Sequence, residues 1–237
     1  FNIKNTPDNV TIIVDGSEWK GNGLFEDENG NKTVTSTEGL ITALSTSPDQ
    51  VTVKAGTYTF PASSIKNDVE INCEEGTVFT GTSGLNINGA TVIGATFENK
   101  GGMAATGTIY GTFKECTFDG SEALRWCYSN DGKAVVFEDC VIKTDFRGFH
   151  FDDMKGDVIF RGCQINGFNA YGGEGTATFE NCVFGNDESS YNGLNIYSNT
   201  VLTGCQFNFI SGKTNFIDME GIGKTLTITN CTATLDG

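Results

Sequence analysis

The sequence predicts an all-β solenoid: a single-stranded parallel β-helix of about eight or nine rungs with a short N-terminal capping helix. Three observations carry that prediction. The first is a recurring run of an apolar residue, two spacers, a cysteine, one spacer and another apolar residue. It reads Phe113-Lys-Glu-Cys116-Thr-Phe118, Phe137-Glu-Asp-Cys140-Val-Ile142 and Phe160-Arg-Gly-Cys163-Gln-Ile165. It continues as Phe179-Glu-Asn-Cys182-Val-Phe184, Leu202-Thr-Gly-Cys205-Gln-Phe207 and Ile228-Thr-Asn-Cys231-Thr-Ala233. The second is the period: successive cysteines of the series lie 24, 23, 19, 23 and 26 residues apart, as stacked repeats require. The third is the content of each period, short β-type runs divided by polar corners, without the leucine–asparagine signature of leucine-rich repeats.

Residues 1–34 stand outside the repeat and are expected to begin the domain or link it to something upstream, with the β-helix domain over 35–237. Within them Val10 to Val14 reads as a strand, and Asp15-Gly-Ser17 and Asp27-Glu-Asn-Gly-Asn31 read as turns. Ser36 to Leu44 is the helix candidate, capped by Ser36 or Thr37, with Leu40, Ile41 and Leu44 as its apolar face. A solenoid end exposes core and unpaired backbone, so this helix is expected to act as a lid. Strands follow at Gln50 to Lys54, Ala55 to Phe60, Val69 to Cys73, Thr77 to Phe79, Leu85 to Ile87 and Val92 to Phe97. Ala95 takes the cysteine slot, 21 residues before Cys116. Later repeats add a second strand at Ala123 to Tyr128, Gly148 to Phe151, Gly193 to Tyr197 and Thr214 to Met219. A third strand then leads back into a cysteine strand, as at Ala134 to Val136, Asp157 to Ile159, Gly175 to Thr178 and Lys224 to Thr227. The last rung has no obvious cap, which points to further domains of the same protein or an end-to-end contact.

Composition excludes several classes. The 237 residues carry 30 acidic and 15 basic side chains, a formal net charge of -15, and no compact basic patch. Nucleic acid and anionic lipid are therefore disfavoured partners. No stretch approaches the roughly 18 apolar residues of a membrane-spanning helix, so no membrane insertion is expected. The chain begins at Phe1 without a signal-like segment, so targeting information is expected to be missing rather than absent. Asn31-Lys-Thr33 and Asn230-Cys-Thr232 match the glycosylation triplet, at a level that chance supplies in a chain rich in Asn and Thr. Six of the eight cysteines share one repeat slot and are expected to form a reduced, buried ladder of small hydrophobes, with Cys73 and Cys127 outside it. Side chains stacked along parallel strands do not converge as a tetrahedral metal site requires.

The pattern resembles the right-handed parallel β-helices of the pectin-lyase-like superfamily. Gly39-Leu-Ile-Thr-Ala-Leu44 followed by Val51-Thr-Val-Lys-Ala-Gly56-Thr-Tyr58 looks like its capping helix, first strand and Gly-x-Tyr turn, and the Phe-x-Asn-Cys and Phe-x-Asp-Cys runs look like its rungs. The resemblance covers about residues 34–237 and implies a secreted or cell-surface protein handling glycans, of the kind found in gut bacteria. Family polygalacturonases carry Asn-Thr-Asp, Asp-Asp, Gly-His-Gly and Arg-Ile-Lys runs. Here only Asp152-Asp153 is present.

Residues 119–153 are the chemically densest zone, with Arg125-Trp-Cys-Tyr128 and Arg147-Gly-Phe-His-Phe151 about one turn apart. Lyase chemistry needs a cation near a sugar carboxylate and a base near the adjacent C–H. Arg147 or His150 would be the base, and Asp152 and Asp153 would hold calcium through oxygen ligands. The same residues also describe a solvated face with Arg–Asp pairs between rungs. The aromatics Trp126, Tyr128, Tyr171, Tyr191 and Tyr197 recur in second-strand and corner regions, where they would cover sugar faces. Asn166, Asn169, Asn192 and Asn195 lie nearby to bind hydroxyls. Core or turn packing would account for several of these rings equally well. The favoured function is a noncatalytic carbohydrate-binding or adhesin-like surface module whose partner is a polysaccharide or surface glycan and which needs no cofactor. Alternatives are a lyase or glycoside hydrolase acting on an acidic polysaccharide, with calcium if a lyase, and a structural spacer in a larger surface protein.

Overall fold

The structure, a computed structural model, describes residues 12–14, 17–19, 21–61, 65, 68–80, 87–99, 105–120, 126–129, 132–143, 149–170, 173–185, 191–212 and 214–236. In some strands, among them 126–129, 149–150 and 152–153, it describes the backbone alone. The chain is a parallel β-helix with three sheet faces of thirteen, nine and six strands among the described residues. Each face is built by equivalent strands of successive coils pairing in parallel, as Gly111–Lys114 pairs with Val135–Glu138 and that strand with Val158–Arg161. Complete three-strand turns number six among the described residues, fewer than the eight or nine rungs expected. In the two coils at 50–80 and the last at 226–236, strands are described on two faces.

The six-residue cysteine run is a corner and not the single strand expected. Phe113 lies in the first sheet within Gly111–Lys114, and Phe118 lies in the second within Thr117–Gly120. Between them the residue before each cysteine slot turns the chain with a positive φ: Gly94 (77°), Glu115 (53°), Asp139 (52°), Gly162 (63°), Asn181 (54°), Gly204 (66°) and Asn230 (55°). Gly, Asn and Asp tolerate this left-handed conformation best, which explains why they dominate the slot. Backbone bonds stack the corners: Asp139 N–H donates to Arg161 O at 2.8 Å and Asn181 N–H to Thr203 O at 2.9 Å.

Inside the corner five of the six cysteines form the expected buried ladder, while Cys231, in the last coil, is only partly buried. Cys116, Cys140, Cys163, Cys182 and Cys205 are at most 1% exposed, and no disulfide links the described cysteines. Each thiol donates toward a carbonyl of its own corner, and some reach the rung below, as Cys163 Sγ reaches Phe137 O at 3.4 Å. Beside the ladder runs a column of rings. Phe113, Phe137, Phe160 and Phe179 pair in register and stack at centroid distances of 5.3, 4.6 and 4.9 Å. Phenylalanine at the same slot in four successive rungs thus becomes a continuous apolar stack along the axis.

The N-terminal lid is the helix Thr37–Ser45, capped by Ser36, whose Oγ accepts from Gly39 N–H at 2.9 Å. Its buried face is Leu40, Ala43 and Leu44. Ile41, assigned to that face by spacing, is 41% exposed, because three- and four-residue steps from Leu40 reach Ala43 and Leu44. The helix packs on the strands Leu24–Glu26, Lys32–Val34 and Gln50–Val53. Thr37 Oγ1 accepts from Thr59 N–H at 3.0 Å, tying the lid to the first strand of the second sheet. Four strands from Ile12 to Val34 pair antiparallel and extend the first sheet at this end.

Candidate functional site

The third sheet carries the residues singled out from sequence. Its strands are Ala105–Thr108, Trp126–Ser129, Phe149–Asp153, Gly167–Ala170, Tyr191–Ile196 and Thr214–Met219. Side chains alternate across a strand, so burial on one strand assigns the rows of the whole sheet. Leu194 and Ile196 are buried, as are Phe168 and Phe151. Tyr128 pairs with Phe151, Phe151 with Ala170, and Ala170 with Ile196, so Tyr128 stands in a row of buried residues. Trp126 pairs with Phe149 in the parallel row on the same parity. The alternate row runs Cys127, His150, Asn169, Asn195 and Asp218, one residue per rung. Tyr191 shares the parity of Asn195 within its strand.

Asp152 and Asp153 sit at an irregularity. Tyr128 pairs with Phe151 and Ser129 with Asp153, leaving Asp152 opposite no residue of the neighbouring strand. Such a bulge places one extra residue on one strand and locally breaks the alternation. The packing follows it: Phe151 and Met154, three residues apart, are both buried, so two carboxylate residues fall between consecutive inward positions. His150, Asp152 and Asp153 all lie within the strand Phe149–Asp153. Arg147 and Tyr171 lie outside the described residues. Side-chain geometry is undescribed for Trp126, Tyr128, His150, Asp152, Asp153 and Tyr191. Among the described residues no group of three or more His, Cys, Asp or Glu gathers as a metal would require.

Other described side chains at or just beyond this face have defined partners or burial. The Asn195 Oδ1 is buried and has no hydrogen-bond partner. Two residues on, the hydroxyl of Tyr197 donates to Glu220 on the next rung, so this ring is held at the corner by a polar contact and is half-buried. Lys224 Nζ donates to Gly173 O at 2.9 Å, spanning two rungs at the same corner. Asn166, a candidate for hydroxyl binding, is a structural residue: it is 3% exposed and its Nδ2 donates to Lys143 O at 2.8 Å. Burial had no sequence signal there, because Asn166 follows a two-residue strand at a tight corner.

The first sheet's outer surface carries a different arrangement, an ion-pair ladder of alternating sign. Glu138 stands between Lys114 Nζ at 3.1 Å and Arg161 NH1 at 3.2 Å, and Arg161 Nε reaches Glu180 at 2.9 Å. Lys114, and then Arg161, hold the Glu138 carboxyl below its ordinary range. These partners satisfy one another across rungs. The cysteine ladder is likewise chemically quiet. Hydrogen bonding to the Cys140 thiol, together with burial, pushes the Cys163 thiol up to about 12, and burial alone takes Cys73 to about 12. Thiolate, the reactive form, is thereby suppressed.

Neither a family model, nor a curated protein, nor a solved structure matches this chain.

Proposed function

We propose that the outer face of the third sheet binds an extended polysaccharide without cleaving it, as a carbohydrate-binding or adhesin-like module of a secreted or cell-surface protein. The observation that carries this reading is the row His150, Asn169, Asn195 and Asp218, which follows Cys127 and offers one polar residue per rung over four rungs at a spacing of ~4.8 Å. Amide and carboxylate groups repeated at that step suit successive hydroxyl-bearing units of an extended chain. Asn195 supports it further: a buried carbonyl oxygen without a partner costs about 1–3 kcal/mol, which a hydroxyl donor from a ligand would recover. Tyr191, on the same parity, supplies an aromatic for a sugar face. The resemblance to pectin-lyase-like proteins points the same way. The net charge of -15 favours a neutral glycan over an acidic one.

A second reading, a lyase or hydrolase, is favoured by one specific feature. The strand that carries His150, Asp152 and Asp153 has a register irregularity at Asp152, and bulges are over-represented next to active sites. In that reading His150 or Arg147 takes the proton, and the two acids hold a cation or act as acid and base.

Affinity electrophoresis through gels containing single polysaccharides tests the binding reading. Retardation by at least one neutral polymer is expected, with Asn195→Ala and Tyr191→Ala each weakening it while the melting temperature stays unchanged. Migration unaffected by every polymer tried, or retardation indifferent to both substitutions, would count against the assignment.

A further inference from the structure

Five Asn–Gly pairs occur in the chain, at Asn22, Asn29, Asn88, Asn166 and Asn192. Such a pair is prone to a reaction that needs no enzyme, because glycine puts no side chain in the way when its backbone nitrogen attacks the preceding side-chain amide. The reaction asks three things of the fold: a side-chain amide not held by partners, a following nitrogen that can be freed, and a backbone able to rotate.

Four of the pairs fail these conditions. Asn22 Nδ2 donates to Thr42 Oγ1 at 2.7 Å, its Oδ1 accepts from Leu24 N–H at 3.3 Å, and a side chain begun at Gly23 would lie 2.6 Å from Ser36 Oγ. Asn88 Nδ2 donates to Ile65 O at 2.8 Å, and its Oδ1 accepts from the Tyr110 hydroxyl at 3.1 Å. The attacking group there, Gly89 N–H, is itself bound to Tyr110 O at 3.1 Å. Asn166 is buried with its Nδ2 on Lys143 O, and Gly167 begins a strand in which it pairs with Gly193. Asn192 and Gly193 lie within the strand Tyr191–Ile196, whose backbone is paired on both sides. Asn29 is different. Asn29 and Gly30 are exposed at the tip of the turn joining Leu24–Glu26 to Lys32–Val34. Nothing beyond the chain neighbours lies within 4 Å of where a side chain at Gly30 would begin. Among the described residues no partner holds the Asn29 side-chain amide; its backbone N–H donates to Asp27 Oδ1 at 2.9 Å. Gly30 N–H donates to Asp27 O at 3.0 Å within this exposed turn, so freeing it takes only a local opening.

We infer that Asn29 is a self-modification site, converted by its own backbone to aspartate and isoaspartate. The Gly30 nitrogen gives its proton to hydroxide and attacks Asn29 Cγ. The bond from Cγ to Nδ2 breaks, and that nitrogen takes a proton from water and leaves as ammonia. Water then opens the cyclic imide at one of its two carbonyls. Opening at the side-chain carbonyl gives aspartate. Opening at the main-chain carbonyl gives isoaspartate, whose main chain is one methylene longer. Either product adds a carboxylate to a turn that already holds Asp27 and Glu28. The turn joins two of the strands on which the lid helix packs, so the change falls on the lid and leaves the outer face of the third sheet untouched.

Incubation of the native chain at mildly alkaline pH, followed by proteolysis and tandem mass spectrometry, tests this. Conversion of amide to acid should appear at Asn29 at least about tenfold faster than at Asn22, Asn88, Asn166 or Asn192, which must first open locally. Isoaspartate should accompany aspartate, as the imide requires. In denaturant the five pairs should convert at comparable rates, and Asn29→Gln, whose ring closure is slower, should remove the native signal. Four results would each overturn the inference: no native conversion at Asn29, equally fast native conversion at another pair, the same preference for Asn29 in the unfolded chain, or aspartate without isoaspartate.

Discussion

Phe160→Ala removes the ring at the middle of the longest aromatic stack. Phe160 is fully buried and lies between Phe137 at 4.6 Å and Phe179 at 4.9 Å, with interplanar angles of 9° and 2°. A third ring, Phe168, meets it edge-on at 5.2 Å and 73°. Truncating a buried phenylalanine to alanine costs about 3–5 kcal/mol in transfer and cavity energy. Lost ring-pair geometry adds about 0.5–1.5 kcal/mol per pair beyond area, placing the expected loss toward the upper end of that range. A solenoid stacks rung on rung, so the flanking coils cannot close the void without shifting their own paired registers. Guanidinium unfolding followed by far-ultraviolet circular dichroism measures the loss, with Ile228→Ala as the internal comparison. Ile228 occupies the same column in the last rung but is 51% exposed, so its truncation should cost less than about 1 kcal/mol. If Phe160→Ala lost less than about 1 kcal/mol, or no more than Ile228→Ala, the inward column would be wrongly placed.

Further outcomes follow from the corner, the ladder and the ion pairs. Cys163→Asp places a carboxylate in a fully buried slot and should destabilise by several kcal/mol, about 3 or more, in the same unfolding assay. In the native protein the thiols of Cys116, Cys140, Cys163, Cys182 and Cys205 should resist a thiol-exchange chromophore and react only with denaturant present; rapid native labelling of these five would contradict their burial. Glu115 holds φ at 53° where other rungs use Gly, Asn or Asp, so Glu115→Gly should raise stability by about 0.5–1 kcal/mol, and a loss would place the strain elsewhere. Glu138 has a folded-state carboxyl lowered by Lys114 and Arg161, so its contribution is present above the unfolded carboxylate pKa and is lost as pH falls through the folded value. Glu138→Gln should accordingly flatten the acid limb of the stability–pH curve, and an unchanged limb would mean the pairs are fully screened.

The fold was legible because its signal is periodic. The phenylalanine and cysteine slots recur at nearly constant spacing, and from Phe113 to Cys205 each lands in the core. The Gly, Asn or Asp before five of the six cysteines was visible as well, but its meaning as a left-handed corner was not. A break between two sheets and a continuous strand leave the same alternation in the sequence. Ile41 failed for a related reason: a nine-residue helix offers two overlapping apolar faces, and packing on the strands Leu24–Glu26, Lys32–Val34 and Gln50–Val53 chooses between them.

The candidate site was less legible because the corner before the third sheet varies in length. From each rung's cysteine to the residue in the polar row the spacing is 11 for Cys127, 10 for His150, 6 for Asn169, and 13 for both Asn195 and Asp218. No fixed period connects these residues, and only backbone register aligns them. Asp218 therefore had no signal, and Tyr128 read as a lateral aromatic although its row contains buried Phe151 and Ile196. The bulge at Asp152 is equally silent in sequence, where Asp152-Asp153 is merely a pair of acids.

The most direct test of the account incubates the purified chain, with calcium, against a panel of neutral and acidic polysaccharides. The polymers are then read by mass analysis, alongside retention of the protein on the same polymers. The account predicts intact polymers and retention that Asn195→Ala weakens. Shortened chains with unsaturated ends would contradict it and shift the chemistry to Arg147, His150, Asp152 and Asp153.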